Sequence, residues 1–258
     1  MGTHIRKTKS PIVFALTMIA SSLFLSSCIS SGQSLNSDPQ TEIASETFDE
    51  PDDIDTIRPE DVINRSKDHV TRTGEIYLLR GLANVFSRGI DTMGENMRER
   101  GVDASNFSYK YWRPIARDMV RRKRRGTMSS PIVIIGHSLG ANESSKFANF
   151  LGSRGVKVTL IVSFDPVETG YVGKNIGEVV NYYLPKTDDN RILAKTGFTG
   201  TIRNLDVTSN DEITHTNIEK RDLFQNRVMN EIIELTRPLE VRAGYQTNAN
   251  QSLYSKQG

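Results

Sequence analysis

Ser138 lies in Pro131-Ile132-Val133-Ile134-Ile135-Gly136-His137-Ser138-Leu139-Gly140-Ala141, where four aliphatic residues run into a serine bracketed by glycines. The aliphatic run predicts a buried strand, and Ala141 to Leu151 is compatible with a following helix. Between them Gly136 and Gly140 remove side chains where the strand must turn sharply, which lifts the Ser138 hydroxyl into the open. This is the G-x-S-x-G pattern of a serine nucleophile. A serine hydroxyl is weak alone, so the arrangement calls for a base on one side and amide donors on the other.

Of the four histidines, His4 lies in the N-terminal leader and His69 in the lead-in to the first strand. His137 sits inside the turn, its side chain directed away from Ser138. A base that takes and returns a proton suits histidine as a residue type, and elimination leaves His215, in Ile213-Thr214-His215-Thr216-Asn217, on a loop after the last strand. The acid that orients it is Asp165, a lone carboxylate closing the strand after the Ser138 strand. The alternatives are that Asp165 caps the turn begun by Pro166, and that Asp188 supplies the acid instead. For the oxyanion, one donor is the amide of Leu139. The other comes from the loop after the first strand, Leu82 or alternatively Ala83.

These residues must be positioned by a sheet. Candidate strands run over 74–81, 107–111, 132–135, 156–164, 177–184 and 200–205, alternating with helices over 90–101, 114–125, 141–151 and 217–236. Such alternation predicts an α/β fold, a mostly parallel sheet of about six strands with helices on both faces. Active sites of such sheets lie outside the carboxyl ends of the strands, where Ser138, Asp165 and the His215 loop fall. The pattern resembles the α/β-hydrolase superfamily, specifically its small lipase/thioesterase-like serine esterases. Gly136-His137-Ser138-Leu139-Gly140 is similar to the lipase form of the elbow, and Phe164-Asp165-Pro166 to the acid-bearing strand end of pancreatic-type lipases. The resemblance covers about residues 74 to 236. It implies hydrolysis of an ester or thioester, with no metal or organic cofactor. Arg80-Gly81 departs from the His-Gly of many lipases, and no insertion is long enough for a lid or cap domain.

The remaining sequence concerns location. Residues 1–27 combine Arg6, Lys7 and Lys9 with an apolar stretch from Ile12 to Leu25, the layout of a signal peptide. Leu25-Ser26-Ser27-Cys28 resembles a bacterial lipobox, and Cys28 is the single cysteine, so lipidation at Cys28 and an envelope location are expected. Ile29 after the cysteine points to the outer membrane, facing the periplasm. Residues 28–70 read as an acidic, disordered tether, 71–237 as the hydrolase domain and 238–258 as a polar tail. One cysteine excludes a disulfide framework and a cysteine-rich zinc site. The net charge of +2 falls to −1 once the three leader cations are set aside, so nucleic acid is not an expected partner. The expected partners are a small-molecule or lipid ester and the membrane beneath the anchor. Arg121 to Arg125 reads as a solvated, basic helix end. A lipoprotein that keeps this fold as a binding module without turnover is the opposing possibility.

Overall fold

Runs of β-branched and aromatic residues build an open sheet in the structure, a computed structural model that describes residues 57–63, 69–82, 87–186 and 189–238. Its strands are β1 (Glu75–Arg80), β2 (Ala104–Ser108), β3 (Ile132–His137), β4 (Val158–Phe164), β6 (Ile176–Tyr183) and β8 (Thr201–Asp206). They pair in parallel in the order β2-β1-β3-β4-β6-β8. The helices are α1 (Pro59–Val62), α2 (Arg88–Glu99), α3 (Trp112–Arg124), α4 (Leu139–Ser153) and α5 (Asp222–Leu235). Two three-residue strands, β5 (Gly170–Val172) and β7 (Ile192–Ala194), form a separate small sheet.

Alternation along β1 explains why both faces are covered. Ile76 and Leu78 pack with Met93 and Met97 of α2 and Ile232 of α5, while Tyr77 and Leu79 pack with Ile115 and Met119 of α3 and Phe147 of α4. Each such side chain is buried at about 1.5–3 kcal/mol of stabilisation. The chain winds outward from β1 to β2, then returns past β1 to β3. Right-handed crossovers in opposite directions put α2 and α3 on opposite faces. The winding reverses between β1 and β3, the place where sheets of this topology put their sites.

The fold class is the expected one: a parallel, doubly covered α/β sheet of six strands. Details differ. The second strand starts earlier, at Ala104, and ends at Ser108; Tyr109–Tyr111 is a 3-10 turn feeding α3. The last helix is broken, a 3-10 turn at Ile218–Lys220 preceding α5. The expected tether reaches too far along the chain, because α1 forms within it and Ile63 is buried in the core beside α3. The leader, Cys28, the acidic stretch to residue 56 and residues 239–258 lie outside the described residues, as do Ala83 and Asp188.

Candidate active site

Ser138 follows β3 and precedes α4 at φ +58° and ψ −125°, a left-handed backbone that costs of order 1–3 kcal/mol for a residue with a Cβ. The surroundings over-determine it. The Ser138 amide donates to the Phe164 carbonyl at 3.0 Å, and its own carbonyl accepts the Ala141 amide at 2.9 Å. A Cβ on Gly140 would lie 2.3 Å from the Leu79 carbonyl oxygen, and one on Gly81 would lie 2.9 Å from the Ser138 Cβ. Only bare backbone at these two positions lets β1, β3 and α4 meet around the serine. Leu139 is the first residue of α4, so its amide has no acceptor within the helix. Leu82 follows Gly81 at the neighbouring strand end and is exposed.

Asp165 directly follows β4, and register puts it on the same edge: His137 lies opposite Phe164, and Phe164 opposite Tyr182. The structure brings the three expected side chains together. His215 Nε2 is 3.0 Å from Ser138 Oγ, and His215 Nδ1 is 2.6 Å from Asp165 Oδ2. A carboxylate can only accept, so the proton sits on Nδ1 and Nε2 is left to accept the serine proton. Asp165 is fully buried, whereas the His215 side chain is 37% exposed and open to substrate.

The Asp165 carboxylate is fully coordinated. Oδ1 accepts the Leu184 amide at 3.0 Å and Asn190 Nδ2 at 2.9 Å, and Lys186 Nζ lies 3.0 Å from Oδ2. Burial pushes its pKa upward, but the hydrogen bonds from His215, Leu184 and Lys186 outweigh burial and hold it below the ordinary value. The turn after it is capped otherwise: the Val167 amide donates to Asn142 Oδ1 at 2.8 Å. Asp189 pairs with Arg191, and Asp206 accepts from Thr208, so neither faces His215.

Sequence reasoning missed the supports of this constellation. His137 does point away from Ser138, as expected, but its ring reaches the back of the His215 loop. Nε2 lies 2.8 Å from the His215 carbonyl, which fixes Nε2 as the protonated nitrogen. Nδ1 therefore accepts the Ser87 hydroxyl at 3.0 Å, and Ser87 Oγ accepts the Gly81 amide at 3.1 Å. One directed chain thus ties the β1 loop to the His215 backbone. Burial pushes the His137 pKa down to about 4, which keeps the ring neutral. Beside it lies Glu219, fully buried and without a hydrogen-bond partner on either carboxyl oxygen, 3.7 Å from His137 Nε2. Burial pushes the Glu219 pKa up to about 7. A cavity of about 340 Å³ runs along Ile213, Lys220, Arg221, Leu223 and Phe224, next to the His215 loop. Among the described residues no group of His, Cys, Asp and Glu is placed to hold a metal, and no helix is long and apolar enough to cross a membrane.

No family model matches the chain, and a search of curated proteins finds no match. Among solved structures, one similar chain is an inferred hydrolase of the α/β superfamily from Xanthomonas campestris pv. campestris. It is 13% identical, with 63% of this chain and 99% of that one covered, at a TM-score of 0.36. Another is Est1E from Butyrivibrio proteoclasticus, 14% identical, with 41% of this chain and 44% of that one covered, at a TM-score of 0.29. Likenesses this distant bear on no residue's role, which the geometry of the site must carry.

Proposed function

We propose that this protein is a serine hydrolase that cleaves a carboxylic ester or thioester through an acyl-enzyme on Ser138. The observation that carries the reading is the unbroken relay from Ser138 Oγ to His215 Nε2 at 3.0 Å and from His215 Nδ1 to Asp165 Oδ2 at 2.6 Å. As Ser138 Oγ attacks the substrate carbonyl carbon, its proton passes to His215 Nε2, and Asp165 stabilises the resulting imidazolium. The carbonyl oxygen becomes an oxyanion held by the amides of Leu139 and Leu82, donors aimed where charge develops. Collapse of the tetrahedral species breaks the bond to the alcohol or thiol, which leaves with the proton from Nε2. Water then attacks the acyl-enzyme, gives a proton to His215, and the free acid departs as Ser138 is reprotonated.

The proposed setting is the bacterial envelope. Its support is the leader and the lipobox-like Leu25-Ser26-Ser27-Cys28, which would tether the enzyme by a lipid on Cys28, outer membrane side, facing the periplasm. The test of activity is labelling of the full-length protein by a fluorophosphonate probe, with Ser138→Ala as the control. Labelling of the native protein that vanishes in the variant is expected. A folded native protein that takes no label would instead favour a binding module without turnover.

A further inference from the structure

A second cation reaches the catalytic carboxylate. Lys186 follows β6 in Leu184-Pro185-Lys186, and its Nζ lies 3.0 Å from Asp165 Oδ2, the same oxygen that accepts His215 Nδ1 at 2.6 Å. The ammonium also donates to the Pro166 carbonyl at 3.3 Å, which fixes it over the turn that carries Asp165. With Oδ1 filled by Leu184 and Asn190, Lys186 completes the shell of a carboxylate that has no water-facing surface. The triad acid therefore serves two cations once the imidazole is protonated, with one negative charge between them.

We infer that Lys186 is a positioning residue that sets the basicity of His215 through Asp165, so that the imidazole stays an unprotonated base at lower pH than an unshared carboxylate would allow. The inference rests on the proposed roles of Ser138, His215 and Asp165. An anion beside a histidine favours the charged ring, and a nearby cation opposes it. Lys186 does both jobs at one oxygen: it immobilises Oδ2 and withdraws part of the stabilisation Asp165 offers the imidazolium. Its side chain is 34% exposed, so water and salt weaken the effect without removing it.

Other charged and titratable groups surround His215. Asp165 comes from the end of β4, and the His137 ring from β3, at 5.1 Å between ring centroids. Glu219 and Lys220 come from the turn before α5. Burial keeps His137 neutral, with its pKa pushed down to about 4. Glu219, pushed up to about 7, titrates in the same range as a catalytic histidine. Both are unchanged in a Lys186 variant, so the difference between that variant and the native protein isolates the ammonium.

The experiment measures the rate of Ser138 labelling by a fluorophosphonate across about pH 5 to 9 in the full-length protein, where the acid limb reports loss of the base. In Lys186→Met the limb is expected to move up by about half to one pH unit, slowing labelling on the acid side about 3- to 10-fold relative to that variant's own alkaline plateau. Lys186→Gln, which keeps a donor but no charge, should move the limb likewise, whereas Lys186→Arg should restore the native profile. A limb that stays in place in folded Lys186→Met and Lys186→Gln proteins, whether or not the plateau falls, would overturn the inference and leave Lys186 a merely structural contact. Absence of native labelling at every pH would overturn the hydrolase proposal and this inference together, and that failure is distinct because it needs no variant to be seen.

Discussion

At the scale of single residues the site depends on protons kept in particular places. In the proposed mechanism His215 carries the proton, so His215→Ala is expected to abolish labelling and turnover without loss of fold, as judged by an unchanged melting profile. Asp165→Asn should slow turnover by about four orders of magnitude, because an amide in that place favours the wrong imidazole tautomer. Asp188→Asn should remain near native, and the reverse ranking in steady-state kinetics would move the acid to Asp188. Behind the triad, His137 and Glu219 set up a second prediction through opposite linkages. His137 has a folded pKa near 4, below its unfolded value, so its contribution to stability is lost as pH falls from about 6.5 toward 4. Glu219 has a folded pKa near 7, above its unfolded value, so its contribution grows as pH falls from about 7 toward 4.5. The two slopes oppose each other over one window, and the native protein should show a nearly flat stability there. Denaturant titrations should then find that Glu219→Gln becomes less stable as the solution is acidified and that His137→Gln becomes more stable, each by up to about 1.4 kcal/mol per pH unit. Parallel slopes in the two variants would show that the pair does not titrate as burial dictates.

At the scale of elements, the strand-turn-helix around Ser138 is where local sequence and tertiary contact coincide. Gly140 faces the Leu79 carbonyl oxygen, 2.3 Å from where a Cβ would stand. Gly140→Ala must therefore force α4 away from β1, and thermal unfolding should show a loss of about 1–3 kcal/mol, the usual cost of overpacking, together with slower labelling of Ser138. A variant that melts and labels like the native protein would mean that the two elements are not in such tight contact. The same coincidence explains what could be read in advance. Aliphatic runs ending at Gly136, Asp165 and Leu184 mark strand ends because a fully covered parallel strand tolerates little else, and those ends carry the proposed acid and nucleophile, Asp165 and Ser138. β5 and β7 left no such trace: three residues each, buried-exposed-buried in β5 and grading from buried to exposed in β7, carry too little periodicity. Asn142 was equally silent, since its role, pinning Val167 N–H and the Glu168 carbonyl, joins a helix to a loop 25 residues away. Lys186 and Asn190 belong to that class too. Their partner is Asp165, and no spacing rule links them to it.

At the scale of the whole molecule the sheet has two unlike edges. The carboxyl edge holds a strained serine, a shared carboxylate and, behind them, the buried Glu219 with no hydrogen bond to its carboxyl oxygens; the serine backbone and the buried acid both cost stability. The amino edge is clamped. Glu75, the first residue of β1, accepts Arg122 at 2.6 and 2.8 Å, the Ser129 amide at 3.0 Å and the Tyr77 hydroxyl, and Arg122 also holds Asp118 at 2.8 Å. The basic run at the end of α3 is thus not uniformly solvated: Arg122 turns inward, while Arg121 and its neighbours stay at the surface. Burial pushes the Glu75 carboxyl upward, yet its bonds to Arg122 and Tyr77 prevail and keep it below the ordinary value, so it stays ionised and its stabilising contribution is lost only as pH falls through that lowered value. Breaking one partner of such a pair leaves a buried charge uncompensated. Arg122→Ala should therefore cost about 3–5 kcal/mol in denaturant unfolding, whereas Arg121→Ala should stay within about 0.5 kcal/mol of native. Below its melting transition, Arg122→Ala should still label at Ser138 at the native rate, because the clamp and the triad sit at opposite ends of β1 and β3. Equal losses in the two arginine variants would mean that the clamp carries no special share of the stability, and slowed labelling of folded Arg122→Ala would mean that the two edges are mechanically coupled.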